Sequence, residues 1–122
     1  MNTKYFFVAV FLIALVIQAY ACNFKTDVVF ENKSERKIDS VVFHLNNYKF
    51  NIKDIKPNEE KRQEIMSNQV TLNNHDVIFR AYIYEKDSLL RHTNSYNDLS
   101  GSLVKNYTLI LNKDLTTKII IK

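Results

Sequence analysis

Hydrophobic residues occur in two arrangements along this chain. Near the N-terminus they form one unbroken apolar run, residues 5–17, and beyond residue 22 they occur in short segments that alternate with polar residues. The clearest alternation is YKFNIK at 48–53. A period of two is typical of a β-strand with one buried and one solvated face. The chain beyond residue 22 is therefore predicted to be built from strands.

The alternating segments predict about seven strands, at 27–31, 37–45, 48–53, 77–85, 89–93, 103–111 and 116–122. Residues 61–66 fit either a short strand or a helical turn, and the polar stretches 67–76 and 94–102 are predicted to be loops. Short strands with a turn signal about every 8–12 residues are typical of sandwiches. We expect an all-β fold, a single antiparallel β-sandwich after an N-terminal signal helix.

The turns must form with little help from glycine or proline, because the chain contains only Gly101 and Pro57. Asparagine and aspartate tolerate left-handed backbone and bond to their own main chain. We therefore expect the turns at 46–47, 56–59 and 112–114 to depend on these residues.

The apolar run has the features of an export signal. Lys4 precedes the run, Gln18 ends it, and the small-x-small triplet Ala19-Tyr20-Ala21 follows. The run is short for a hydrocarbon core, which takes about 20 residues to cross. It matches the apolar region of a secretory signal peptide, so residues 1–21 are predicted to be removed on export.

Cys22, the single cysteine, directly follows this triplet and has no partner for an intramolecular disulfide. The apolar run, small residues and Cys22 together resemble the lipobox of bacterial lipoproteins. The resemblance implies cleavage between Ala21 and Cys22 and acyl chains on the cysteine, which would hold the chain on a membrane. Ala19 stands where leucine is usual and Tyr20 is large for its place. Ordinary cleavage and plain secretion therefore remain the alternative.

Residues 22–122 have the size of one domain, with 22–26 as a lipidated cysteine and short tether and 27–122 as the sandwich. Loss of Lys4 lowers the formal net charge of +4 by one. Charges of both signs are interspersed, whereas a nucleic-acid-binding protein carries a basic stripe. We expect no nucleic-acid partner.

No catalytic, cofactor or metal motif is recognisable. His44, His75 and His92 lack a second ligand at metal-binding spacing, and serines at 98–102 lack the nucleophile-elbow pattern. We expect a protein that is not an enzyme and that carries no cofactor and no metal. A hydrolase assembled from separate loops remains a minor alternative.

One candidate binding face is suggested by residues 77–85, where Arg80, Tyr82 and Tyr84 alternate with apolar residues, joined by Tyr96 from a loop. Tyrosine and arginine are enriched at protein interfaces. The competing interpretation is that this face belongs to the sandwich core or is covered by an edge strand.

The order of features resembles that of small uncharacterised bacterial lipoproteins with immunoglobulin-like sandwiches. These features are an N-x-S turn at 32–34, I-D-S-V at 38–41, I-K-P-N-E at 55–59, a hairpin and a final Ile-rich strand. The resemblance implies a fold and an exported, membrane-anchored location, on the periplasmic or outer face of the cell envelope. The leading hypothesis is a lipoprotein that binds an envelope protein or has a structural role. The alternative is a secreted carbohydrate-binding module that uses exposed tyrosines.

Overall fold

The computed structural model describes residues 3–21, 25–71, 76–98 and 106–122. Within these residues there is one α-helix, α1 at Thr3–Ala21, and a short 3-10 helix at Ser67–Gln69. The strands are β1 (Lys25–Asn32), β2 (Ile38–Leu45), β3 (Tyr48–Ile55), β4 (Glu60–Met66), β5 (Asp76–Glu85), β6 (Ser88–Asp98), β7 (Tyr107–Leu111) and β8 (Thr117–Ile121).

The strands form two four-stranded sheets packed against each other, with strand orders β4-β1-β7-β8 and β3-β2-β5-β6. We call them the first and the second sheet. The predicted all-β, sandwich-like fold is confirmed. The tight turn after Ile55 carries the chain from β3 in the second sheet to β4 in the first.

One strand pair departs from the predicted antiparallel arrangement. β1 pairs with β7 in parallel, with Val28 opposite Tyr107 and Asn32 opposite Leu111, whereas the other neighbouring pairs are antiparallel. Parallel neighbours require a long connection. Here the whole second sheet and β4 lie between the two strands in sequence, so the expectation of a wholly antiparallel sandwich is wrong.

Four strand predictions need correction or completion. The ambiguous segment 61–66 is a strand, β4, and β6 continues to Asp98 through residues predicted to be a loop. β1 begins at Lys25, two positions before the predicted start, and β7 begins at Tyr107. The earlier part of the predicted strand 103–111 lies outside the described residues.

The core lies between the sheets and contains a series of aromatic contacts. Phe43 stacks on Phe50 with ring centroids 5.1 Å apart, and Phe43 also contacts Phe79. Phe79 of the second sheet stacks on Tyr107 of the first at 5.2 Å with an interplanar angle of 1°. Offset aromatic pairs contribute about 0.5–1.5 kcal/mol beyond the burial of their area. This stack therefore joins the two sheets at the centre of the core.

Left-handed backbone occurs at residues other than glycine in several of the described turns, and also at Asp54 within β3. Positive φ angles occur at Asn46, Asp54, Asn58, Lys86 and Leu115. Asn46 and Asn58 lie in turns that were predicted to depend on Asn or Asp, whereas Lys86 and Leu115 are side chains that the left-handed region disfavours.

The helix α1 covers the predicted signal segment. In the described part of the chain, no helix combines the length and the apolar character needed to cross a membrane.

Candidate binding face

Strand β5 separates the core from the candidate binding face by simple alternation. Val77, Phe79, Ala81 and Ile83 are buried against the first sheet. The residues between them, Ile78, Arg80, Tyr82 and Tyr84, point to the opposite side because successive side chains of a strand alternate. We call that side of the second sheet the outer face. Arg80 is exposed and both tyrosines are half-buried, so the outer face is not part of the core.

Strand register places further side chains beside these residues. His44 and Lys49 lie in the same cross-strand row as Arg80, because β2 pairs His44 with both of them. In the next row Val42 and His92 flank Tyr82. Sequence reasoning treats the histidines as scattered, and only the pairing of β2 and β6 with β5 brings them together.

The ring of Tyr82 is largely occupied by its neighbours. It stacks on His92 with centroids 4.5 Å apart and planes 8° apart, and His44 meets it edge-on at 5.5 Å. Because the Tyr82 and His92 rings stack on each other, each ring covers one face of the other. Tyr82 therefore offers a partner its edge and hydroxyl more than a free ring face.

His44 lies in a cationic environment. Partial burial, followed by the charges of Lys49 and Arg80, lowers the pKa of His44 from its ordinary value of 6.5. The lowered pKa favours the neutral imidazole. No ion pair within the described residues involves Lys49 or Arg80.

Tyr96 lies on a strand and not on a loop, which corrects the prediction. It is on β6 opposite Ile78, and 64% of its surface is exposed. Tyr84 lies opposite Ser40 and Leu89 at the other end of the outer face. The four predicted residues therefore share one face, but Tyr84 and Tyr96 are at opposite ends of it.

An open cavity of about 320 Å³ adjoins Arg80 and Ile78, lined also by Asn46, Asn47 and Thr71. Side-chain hydrogen bonds of Asn46 connect the segments that line this cavity. Asn46 Nδ2 donates to the carbonyls of Thr71 and Asp76, both at 2.9 Å, and its Oδ1 accepts the Ile78 N–H at 2.8 Å. The wall of the cavity is thus fixed by hydrogen bonds at the point where the β2–β3 turn meets β5.

Several predicted residues lie outside the described residues. These are Cys22, the predicted lipidation site, His75, and the serines of 98–102. Among the side chains that the structure does describe, no group of three or more His, Cys, Asp or Glu residues could hold a metal ion.

A buried polar cluster at Asn32 was not singled out by sequence reasoning. Asn32 is 0% exposed and its Nδ2 lies 2.7–3.2 Å from the carbonyl oxygens of Arg36, Ile55 and Lys56. Its Oδ1 accepts hydrogen bonds from the N–H and Oγ of Ser34 at 3.1 and 2.6 Å. The N-x-S pattern at 32–34 is therefore a structural motif in which the side-chain amide of Asn32 hydrogen-bonds within the fold.

Comparison with known proteins adds no relative to these geometric observations. No protein-family model matches the chain, and no curated protein matches it.

Proposed function

We propose that this protein is a non-enzymatic lipoprotein of the bacterial cell envelope, held on a membrane by acyl chains on Cys22. The observation that carries the proposal is the position of the single cysteine, directly after the apolar run 5–17 and the triplet Ala19-Tyr20-Ala21. More than one acyl chain gives stable anchoring, since each buried methylene contributes about 0.8 kcal/mol.

The sandwich of this lipoprotein binds another envelope protein or has a structural role in an envelope assembly. The outer face supports this role, because it carries an exposed Arg80 together with Tyr82, Tyr84 and the exposed Tyr96. These residue types dominate the binding energy of many protein interfaces.

Cross-linking in intact cells tests the binding role. Envelope proteins captured by the wild-type chain should be lost from the Arg80→Ala/Tyr96→Ala variant. They should be retained by Arg62→Ala, which removes an exposed arginine from the first sheet. Capture of the same proteins by all three chains, or of none by the wild type, would contradict a role for the outer face.

A carbohydrate-binding module is the second candidate, and the exposure of Tyr96 is the observation that favours it. Sugar stacking needs an accessible ring face, which Tyr82 largely lacks because His92 and His44 contact its ring. Binding of a glycan from a panel should then disappear in Tyr96→Ala and persist in Tyr82→Phe. Unchanged tyrosine resonances across the panel would exclude this candidate.

A further inference from the structure

A cationic row crosses the outer face at the end where the β2–β3 turn lies. It consists of Lys49 on β3, His44 on β2 and Arg80 on β5, because His44 is the register partner of both other residues. Neighbouring strands are about 4.8 Å apart, so the main chains at Lys49 and Arg80 are roughly 10 Å apart on either side of His44. Two long cationic side chains placed in this way can both reach one group that lies over the imidazole.

The positive charge of this row is not compensated within the described chain. Arg36 and Arg62 form ion pairs with carboxylates, and the Nε of Arg91 donates to the Leu115 carbonyl at 2.7 Å. Arg80, in contrast, is exposed and forms no ion pair with any residue that the structure describes. Its guanidinium therefore has the capacity to bind an anion from outside the chain.

The titration of His44 reports the same excess of positive charge. Burial is the largest cause of its lowered pKa, and the charges of Lys49 and Arg80 lower the pKa further. These two cations and the edge-on ring of Tyr82 are the titratable groups that face the imidazole from β3 and β5. Asp76 lies on the same side of β5 but two rows away from Arg80, and no carboxylate of the described chain contributes to the pKa. An anion over His44 would therefore neutralise a region of positive potential.

The open cavity of about 320 Å³ begins at the Arg80 end of this row. Asn46, Asn47 and Thr71 give it a polar lining, and Ile78 adds an apolar side chain. Pockets that bind small molecules are about 300–1,000 Å³ in size and combine apolar lining with a few polar groups. The cavity is at the lower end of this range, so it fits the organic part of a small polar ligand whose anionic group binds to the row.

We propose that the cationic row and the cavity form a binding site for a small phosphomonoester. Its phosphate lies over His44 between Lys49 and Arg80, and its organic part enters the cavity. A phosphomonoester carries a charge of about −1.5 to −2 at neutral pH and has three acceptor oxygens. Arginine binds phosphate through two parallel N–H bonds and lysine binds it as a point charge, so both cations can act on one phosphate. The site shares Arg80 with the proposed protein-binding role, but it rests neither on that role nor on the lipid anchor.

Titration with glycerol 3-phosphate at constant ionic strength tests the proposal, followed by nuclear magnetic resonance of the labelled protein purified from the cells that make it. Saturable shifts should centre on Lys49, His44 and Arg80. The bound ligand should raise the pKa of His44, because a nearby anion favours the charged imidazole. Inorganic phosphate should bind more weakly than the ester, since it leaves the cavity empty. Acetate, with a single charge and two oxygens, should bind more weakly still.

Substitutions separate the row from the cavity. Arg80→Gln and Lys49→Gln should each weaken binding of the ester roughly tenfold or more, because a hydrogen bond to a charged group is lost. Lys53→Gln is the matched control, since Lys53 is an exposed lysine on the same side of β3 but outside the row. This variant should bind as the wild type does. Thr71→Val should weaken binding of the ester and leave that of inorganic phosphate unchanged.

The phosphomonoester could be a free molecule or the headgroup of a lipid, and lipid nanodiscs distinguish the two sources. Shifts of the row that appear with phosphatidic acid at a lower phosphate concentration than with glycerol 3-phosphate would assign the site to a lipid headgroup. The reverse order would assign it to a soluble ester. In either case the response should be lost in Arg80→Gln and kept in Lys53→Gln.

Three results would overturn the proposal. The first is the absence of saturable shifts with both the soluble ester and the lipid. The second is an equal loss of binding in Arg80→Gln and Lys53→Gln, which would indicate attraction by net charge alone. The third is equal affinity for the ester and for inorganic phosphate, which would remove the cavity from the site.

Discussion

At the scale of single residues, Asn32 connects three parts of the fold through one buried amide. Its side chain bonds to main-chain groups in the turn between β1 and β2, at the end of β3 and in the turn that leads to β4. Main-chain bonds from Asn58 N–H to the Asn32 carbonyl, and from Asn32 N–H to the Glu59 carbonyl, close the same junction. A buried polar group is tolerated here because its donors and acceptors have partners.

Asn32→Ala should therefore destabilise the protein strongly. The truncation leaves buried carbonyls without their donor, and each unsatisfied group costs about 1–3 kcal/mol. We expect a loss of about 3 kcal/mol in the free energy of unfolding, measured by urea denaturation. Asn51→Ala, at an exposed position of β3, should change stability by less than about 0.5 kcal/mol. Equal effects of the two substitutions would contradict a structural role for the Asn32 amide.

Lys86 occupies a left-handed position in the two-residue turn between β5 and β6, with a φ of 54°. Left-handed backbone costs a residue with a Cβ about 1–2 kcal/mol, a cost that glycine avoids. Lys86→Gly should raise the free energy of unfolding by up to about 1 kcal/mol, after allowance for the greater freedom of glycine in the unfolded chain. Thermal denaturation measures the change.

Lys56→Gly is the matched control, because Lys56 is an exposed turn lysine that is not among the positive-φ residues. There glycine only adds freedom to the unfolded chain, so this substitution should lower stability. A Lys86→Gly variant less stable than the wild type would show that the left-handed backbone carries no such cost.

At the scale of elements, the row formed by β3, β2 and β5 controls the titration of His44. Burial and the charges of Lys49 and Arg80 hold its pKa below 6.5 in the folded protein. The unfolded chain therefore binds more protons between the folded pKa and 6.5. The contribution of neutral His44 to the stability of the folded protein is therefore present above pH 6.5. It is lost as the pH falls through the pKa of His44 in the folded protein.

Nuclear magnetic resonance titration of the imidazole should show His44 titrating below 6.5. Arg80→Gln should raise this pKa part of the way towards 6.5, because burial is the largest cause and remains. Lys53→Gln, four residues along β3 from Lys49, should leave it nearly unchanged because the Lys53 charge is not among its causes. A His44 that titrates at or above 6.5 in the wild type would contradict the cationic environment described for this row.

Strands with one wet and one buried face were predictable, and strands without that contrast were not. β3 alternates as far as Lys53 and β5 as far as Ile83, because their inner residues meet the core. The sequence of β4 fits two interpretations because Ile65 is its one buried residue, and the sequence of the second half of β6 predicts a loop because its residues are polar. At a sheet edge, main-chain pairing stabilises a strand whose side chains carry little hydrophobic signal.

At the scale of the whole molecule, the pairing of distant strands is what sequence periodicity cannot supply. Alternation alone places Arg80, Tyr82 and Tyr84 on one face, and the structure agrees. The addition of His44, Lys49 and His92 depends on the register of β2, β3 and β6 with their neighbours. The parallel pairing of β1 with β7 likewise leaves no mark in either strand's own pattern.

The N-terminus of the sandwich lies close in sequence to the proposed anchor. β1 begins at Lys25, three positions after Cys22, and a fully extended chain covers at most about 3.6 Å per residue. In the proposed lipoprotein, the sandwich would therefore be held within roughly 11 Å of its anchored cysteine. The outer face of the second sheet would then act close to a membrane surface.

The most direct test of the central claim is the intact mass of the protein isolated from membranes of the cells that make it, compared with Cys22→Ala. The lipoprotein account predicts a chain that starts at Cys22 and carries the added mass of acyl chains, and a Cys22→Ala protein without that addition. A chain that starts at Cys22 with no added mass, recovered in the soluble fraction, would contradict the anchor.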